Sequence, residues 1–194
     1  MHPDSIVDEG EPFRWYLAYF HESGHAVAAH RRNRPVNEIY IHPDNGYTSH
    51  GSDDTDYKGD DHQFIVYAGP WSEVRALWAT RNLDTSTNDA GGNSFADTVR
   101  DLLRKNDSDW LEYHQAMGYN YDRSHSKQAR AAYDLGSSPP VECPPGASWH
   151  ALYEDMWHEI IKVGLTMLAG EQQLRVGDAT LHRVGAHRWL LPLP

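Results

Sequence analysis

Apolar and polar positions first fall into a helical rhythm at PFRWYLAYFHESGHAVAAHRR, from Pro12 to Arg32. Proline suits a first helical turn, where its missing N–H costs nothing, and Pro35 cannot continue the helix. The next segment, VNEIYI, reads as a strand through Val36, Ile39 and Ile41, with Glu38 breaking the pattern. Pro43-Asp44-Asn45-Gly46 is turn chemistry, and Tyr47 to Gly51 is expected to return as the hairpin partner. Ser52 to Asp61 holds five aspartates and reads as a solvated loop. A second helical stretch runs from His62 to Thr80, with two short helices or a kink expected at Gly69-Pro70. Leu83 to Gly92 is loop-like, and Ser94 to Lys105 forms the third helix.

Asp107-Ser108 is expected to cap a fourth helix, DWLEYHQAMG, ended by Gly118. Ser126 to Leu135 reads as helix, and residues 136–148 as a proline-rich loop. Ser148 then caps the long helix WHALYEDMWHEIIKVGLTMLAG, and a short helix is expected over Thr180 to Val184. These elements predict a mainly α chain with a small β-hairpin or sheet, of the α+β class. They fit one domain over 1–194, with a core at 12–105 and a helical C-terminal part at 106–194.

Composition narrows the function. At 194 residues a sizeable core can be buried in one domain. A net charge of −11 argues against a nucleic-acid partner and against docking on anionic membranes. No apolar run is long enough to span a bilayer, and the acidic start MHPDSIVDEGEP is unlike a secretory signal. A cytoplasmic location is the expectation. The single cysteine, Cys143, excludes an internal disulfide and any multi-cysteine zinc site. Thirteen histidines turn attention to metal chemistry.

His21-Glu22-Ser23-Gly24-His25 is an H-E-x-x-H sequence inside the first helix. A spacing of four residues puts both imidazoles on one helix face, within reach of one Zn²⁺. Glu22 then stands where a general base for water is needed, and a third protein ligand leaves one position open. Tyr19, Phe20, Ala26 and Val27 flank the motif, and Gly24 allows another backbone to come close.

The segments AYFHESGHAVAAH and RPVNEIYIHPDNGYTSHG resemble the peptidase domain of FtsH-type proteases, and FIVYAGPWSEVRAL resembles the helix that follows there. Small stand-alone proteins of this type from actinobacteria and their phages are similar. The resemblance covers residues 12 to 105. It implies a zincin-like peptidase fold, a Zn²⁺ cofactor, a peptide or protein substrate and hydrolysis by metal-activated water. It also implies His21 and His25 as ligands and Glu22 as base. No G-x-x-x-x-G-K-[ST] loop is present, so the activity is expected to be independent of ATP. A binding or regulatory protein that keeps the fold without catalysis is the alternative.

Resemblance implies that the third ligand is an aspartate from the start of a helix well downstream. Asp97 matches by its place in a first turn and its distance from His21. Ser94-x-x-Asp97 is equally a capping box. Asp89, in Thr87-Asn88-Asp89, competes, and Glu73 would serve a thermolysin-like site. A metzincin pattern fails at Ala28 and Arg31. His30, His42, His50 and His62 are candidates for a cleft lining, and Trp71 and Trp78 for the core. Asp53, Asp54 and Asp56 do not complete a calcium loop. Ile39, Tyr40 and Ile41 are the candidate substrate-binding residues, since their strand or its hairpin partner could take an extended peptide by strand addition.

Overall fold

A computed structural model describes residues 10–51, 59–116 and 147–192. Cys143, Asp53, Asp54, Asp56, the predicted helix at Ser126 to Leu135 and most of the 136–148 loop lie outside the described residues. The chain runs α1 (Glu11–Arg31), β1 (Val36–Tyr40), β2 (Tyr47–His50), α2 (Asp60–Thr80), α3 (Phe95–Lys105) and α4 (Asp107–Ala116). It continues as α5 (Ala147–Leu168), β3 (Gln173–Val176), β4 (Ala179–Gly185) and β5 (Arg188–Leu190). The α+β class holds, but the sheet is larger than a hairpin. Five antiparallel strands stand in the order β2-β1-β5-β4-β3.

The expected short helix at Thr180 to Val184 is instead β4. Gly177, at φ +56, turns the chain between β3 and β4, a conformation glycine adopts without a Cβ penalty. Leu174, Val176, Leu181 and Trp189 are buried at alternating positions, as a half-covered sheet requires. Pairing of Ile39 with Trp189 joins the C-terminal strands to the N-terminal hairpin. The C-terminal part is therefore not simply helical, and its strands share one sheet with the 12–105 segment.

Helix α1 is buried on every side from Tyr19 to Ala29, so it is the central element. It packs chiefly against α2 and α5. Its crossing with α2 is close because two glycines meet it: a Cβ on Gly24 would strike the Ala68 carbonyl and Ser72 Oγ, and one on Gly69 would lie 2.8 Å from His21 Nε2. Despite Pro70, α2 is one helix from Asp60 to Thr80. Trp71 and Trp78 are core residues, 1% and 0% exposed. Each such burial contributes roughly 1.5–3 kcal/mol on a hydrocarbon-transfer scale. No helix among the described residues is long and apolar enough to cross a membrane.

Candidate metal centre

Three elements meet at the buried face of α1. His21, Glu22 and His25 are 6%, 4% and 8% exposed, an expensive placement for groups that ionise. Asp109, from the first turn of α4, is 8% exposed and joins them. His21 Nε2 lies 3.1 Å from His25 Nε2 and 2.9 Å from Asp109 Oδ2. His25 Nε2 lies 3.6 Å from Asp109 Oδ1. Among the described residues, these form the one group of three donors that could hold a metal ion.

The far side of each imidazole fixes its tautomer. His21 Nδ1 lies 2.8 Å from Glu73 Oε2, and His25 Nδ1 lies 2.8 Å from the Ile65 carbonyl oxygen. Both partners accept, so both Nδ1 atoms donate and both Nε2 atoms turn inward, where their lone pairs become ligands once a metal displaces the Nε2 protons. Two imidazole lone pairs and a carboxylate then face one another at about the separation expected of ligands on one small cation. Such a set needs positive charge between its members, and the donors present fit a divalent metal.

In the metal-free chain protons on the imidazoles supply that positive charge. Burial opposes charge on His21, but Asp109, then Glu73, outweigh it and raise its pKa well above the usual 6.5. His25 is raised in the same way by Asp109 against the same burial. Burial works against the Asp109 carboxylate too, yet the two imidazoles hold its pKa far below the usual range. Glu22 is raised by burial, with His25 and His21 pulling the other way. Thr48, on β2, donates from Oγ1 to Glu22 Oε2 at 2.9 Å and so orients the carboxylate.

Asp97 is not part of this group. Ser94 Oγ donates to Asp97 Oδ2 at 2.6 Å and accepts from the Asp97 N–H at 3.1 Å. An ion pair with Arg100 completes its surroundings, and its side chain is 52% exposed. It sits in the first turn of α3 behind the Ser94 cap, and the aspartate beside the imidazoles is Asp109. Asp89 also serves a turn, accepting from the Gly91 and Asn93 N–H groups at 2.9 and 2.8 Å. Glu73 touches the site as the partner of His21 rather than as a member of the donor group.

Periodicity carried a signal for Asp109. The buried positions of α4 include Trp110, Tyr113 and Ala116, and Asp109 lies one turn before Tyr113 on that apolar face. On α3 the buried positions are Phe95, Val99 and Leu103, and Asp97 lies opposite them. The cap of α4 is also one residue earlier than expected: Asn106 Oδ1 accepts from the Ser108 and Asp109 N–H groups at 3.2 and 3.3 Å.

The substrate-strand expectation needs a correction. Strand β1 is paired with β2 on one edge and β5 on the other, and Ile39 and Ile41 are 0% exposed. Ile39, Tyr40 and Ile41 therefore have no open edge for a peptide. The hairpin partner β2 is the outermost strand, and Tyr47, Thr48 and His50 line a cleft of about 810 Å³ that reaches Glu22, His25 and Asp109. Of the other histidines, His50 and His62 stand beside this centre with ring centroids 5.7 Å apart. His42 packs edge-on against Trp15 and lines a cleft together with His21 and Glu22.

No family model, no curated protein and no solved structure matches this chain.

Proposed function

We propose that the chain is a zinc-dependent metallopeptidase that hydrolyses peptide bonds with water and without ATP. The observation that carries this reading is the position of Glu22, a buried carboxylate next to a His21–His25–Asp109 donor group and open to a cleft. The resemblance of residues 12 to 105 to FtsH-type peptidase domains supports it. So does an aspartate at a helix start as the third donor, here Asp109.

His21, His25 and Asp109 would hold the metal. A zinc ion bound there supplies Lewis-acid polarisation of the scissile carbonyl and of water. Glu73 and the Ile65 carbonyl keep the two imidazoles oriented for that task. Glu22 takes the proton from the attacking water and later passes it to the leaving amine. Its raised pKa suits both acts, because a carboxylate that holds a proton less reluctantly is the better base. Thr48 fixes Glu22 Oε2, and the other oxygen, Oε1, lies beside Gly46, where a Cβ would come within 2.7 Å of it. The outer edge of β2 takes the extended peptide backbone.

The test is the Glu22→Gln variant. It is expected to bind one zinc per chain like the wild type while peptide hydrolysis falls by about 10²–10⁴. A variant that still cleaves at the wild-type rate would remove Glu22 from the role. A wild type that binds zinc but cleaves nothing in a broad peptide library would favour a binding protein of the same fold.

A further inference from the structure

The cleft divides at Glu22. One half, about 360 Å³, has Phe13, Leu17 and Ala18 of α1 on its wall. The other half, about 810 Å³, runs along β2 to α4. Among the Asp, Glu, Lys and Arg that line the second half, all four are acidic: Glu22, Asp44, Asp109 and Glu112. Three of them are engaged. Glu22 and Asp109 belong to the centre, and Asp44 is ion-paired with Arg14.

Glu112 is different. It lies one turn beyond Asp109 on α4, so the two face the same side. Its ion-pair partner is His62, with Nε2 3.6 Å from Oε2. Burial, then His25, lower the His62 pKa to about 4, so at neutral pH that ring brings no positive charge. Burial and then Asp109 push Glu112 itself up to about 7, and His25 offsets only part of this. Half of its side chain, 47%, is exposed. A carboxylate so placed is stabilised by a cation that a ligand brings.

We propose that Glu112 forms a subsite for a cationic side chain, lysine or arginine, of the bound peptide, on the β2 side of the scissile bond. This rests on the peptidase reading for its substrate class. Residues three apart on a helix have Cβ atoms about 5–6 Å apart, and an extended peptide advances about 3.4 Å per residue. The cationic residue therefore falls within about two positions of the scissile bond.

The experiment uses the full chain loaded with zinc and peptides that differ only by Lys or Glu, scanned over three positions on each side of the scissile bond. Cleavage is read on the wild type and binding, by fluorescence anisotropy, on Glu22→Gln. At one position Lys is expected to be preferred about tenfold, and the preference to shrink as salt is added. Glu112→Gln should abolish the preference and Glu112→Lys should turn it toward Glu. Zinc content of one per chain verifies that each variant is folded. Equal affinities for the Lys and Glu peptides, no binding of either, or a preference unchanged in Glu112→Lys overturns the subsite. Cleavage with no charge preference overturns the subsite and leaves the peptidase intact. A Glu112-dependent binding preference without any cleavage supports the subsite and removes the peptidase.

Discussion

Helices α3 and α4 begin in similar ways and end up with opposite duties. Each has an aspartate in its first turn and a polar residue capping it, Ser94 for α3 and Asn106 for α4. Asp97 faces solvent, exchanges hydrogen bonds with the Ser94 hydroxyl and pairs with Arg100. Asp109 faces inward and meets two imidazoles. The caps do not distinguish them. The face of the helix does: Asp97 stands opposite Phe95, Val99 and Leu103, whereas Asp109 stands with Tyr113. A carboxylate on an apolar face has to find a partner or stay uncharged, and α1 supplies that partner.

The sharpest way to break this contrast is to neutralise each aspartate in turn. Asp109→Asn replaces an anionic donor with a neutral amide and is expected to weaken zinc binding by about 100-fold or more, read by competition with a chelator. Asp97→Asn should leave zinc affinity unchanged. It keeps an oxygen that can accept from the Ser94 hydroxyl and loses mainly the helix-dipole contribution, roughly 0.3–1 kcal/mol of stability in denaturant titration. If Asp97→Asn releases zinc and Asp109→Asn does not, the assignment is reversed.

Glu73 sharpens the contrast further, because it acts through His21. Glu73→Gln retains the shape but removes the charge that holds Nδ1–H, and the expected loss in zinc affinity is about 10–100-fold. An equal loss in Glu73→Gln and Asp109→Asn would place the two carboxylates on the same footing.

A smaller effect appears in the metal-free chain as pH changes. His21 and His25 have raised pKa values when folded, so their stabilisation is full below the usual 6.5 and fades as pH rises through the raised values. Asp109 has a lowered value, so its share is full above the usual 3.8 and fades as pH falls through the lowered one. The Tm difference between metal-free wild type and metal-free Asp109→Asn is therefore expected to be largest between about pH 4 and 6.5 and to shrink on the alkaline side. The matching difference for Asp97→Asn should show no such window. A pH-independent gap for Asp109→Asn would mean that the three groups are not coupled as their distances indicate.

Local signals carried much of this architecture. Pro12 and Pro35 bracket α1 closely, and the Asp44-Asn45-Gly46 turn places the β1–β2 hairpin. His21 and His25 were legible because a spacing of four fixes their common face whatever surrounds the helix. The third donor was not, because which helix start meets α1 is a tertiary matter, and first-turn aspartates are favoured by capping and the dipole alone. The C-terminal strands were missed for another reason. Leu174, Val176 and Leu181 alternate over short segments with a Gly-Asp turn between them, but β5 has three residues and gains its place only by pairing with β1. That pairing also closes the edge of β1 that Ile39, Tyr40 and Ile41 would have needed to bind a peptide.

Diffraction data recorded on either side of the zinc absorption edge, from crystals of the zinc-loaded full chain, test the centre most directly. The account predicts one strong anomalous peak per chain, with His21 Nε2 and His25 Nε2 at about 2.0–2.1 Å and an Asp109 carboxylate oxygen at about 2.0–2.2 Å. A peak bound by Asp97, Asp89 or Glu73 in place of Asp109, or no peak between the two histidines, would contradict it.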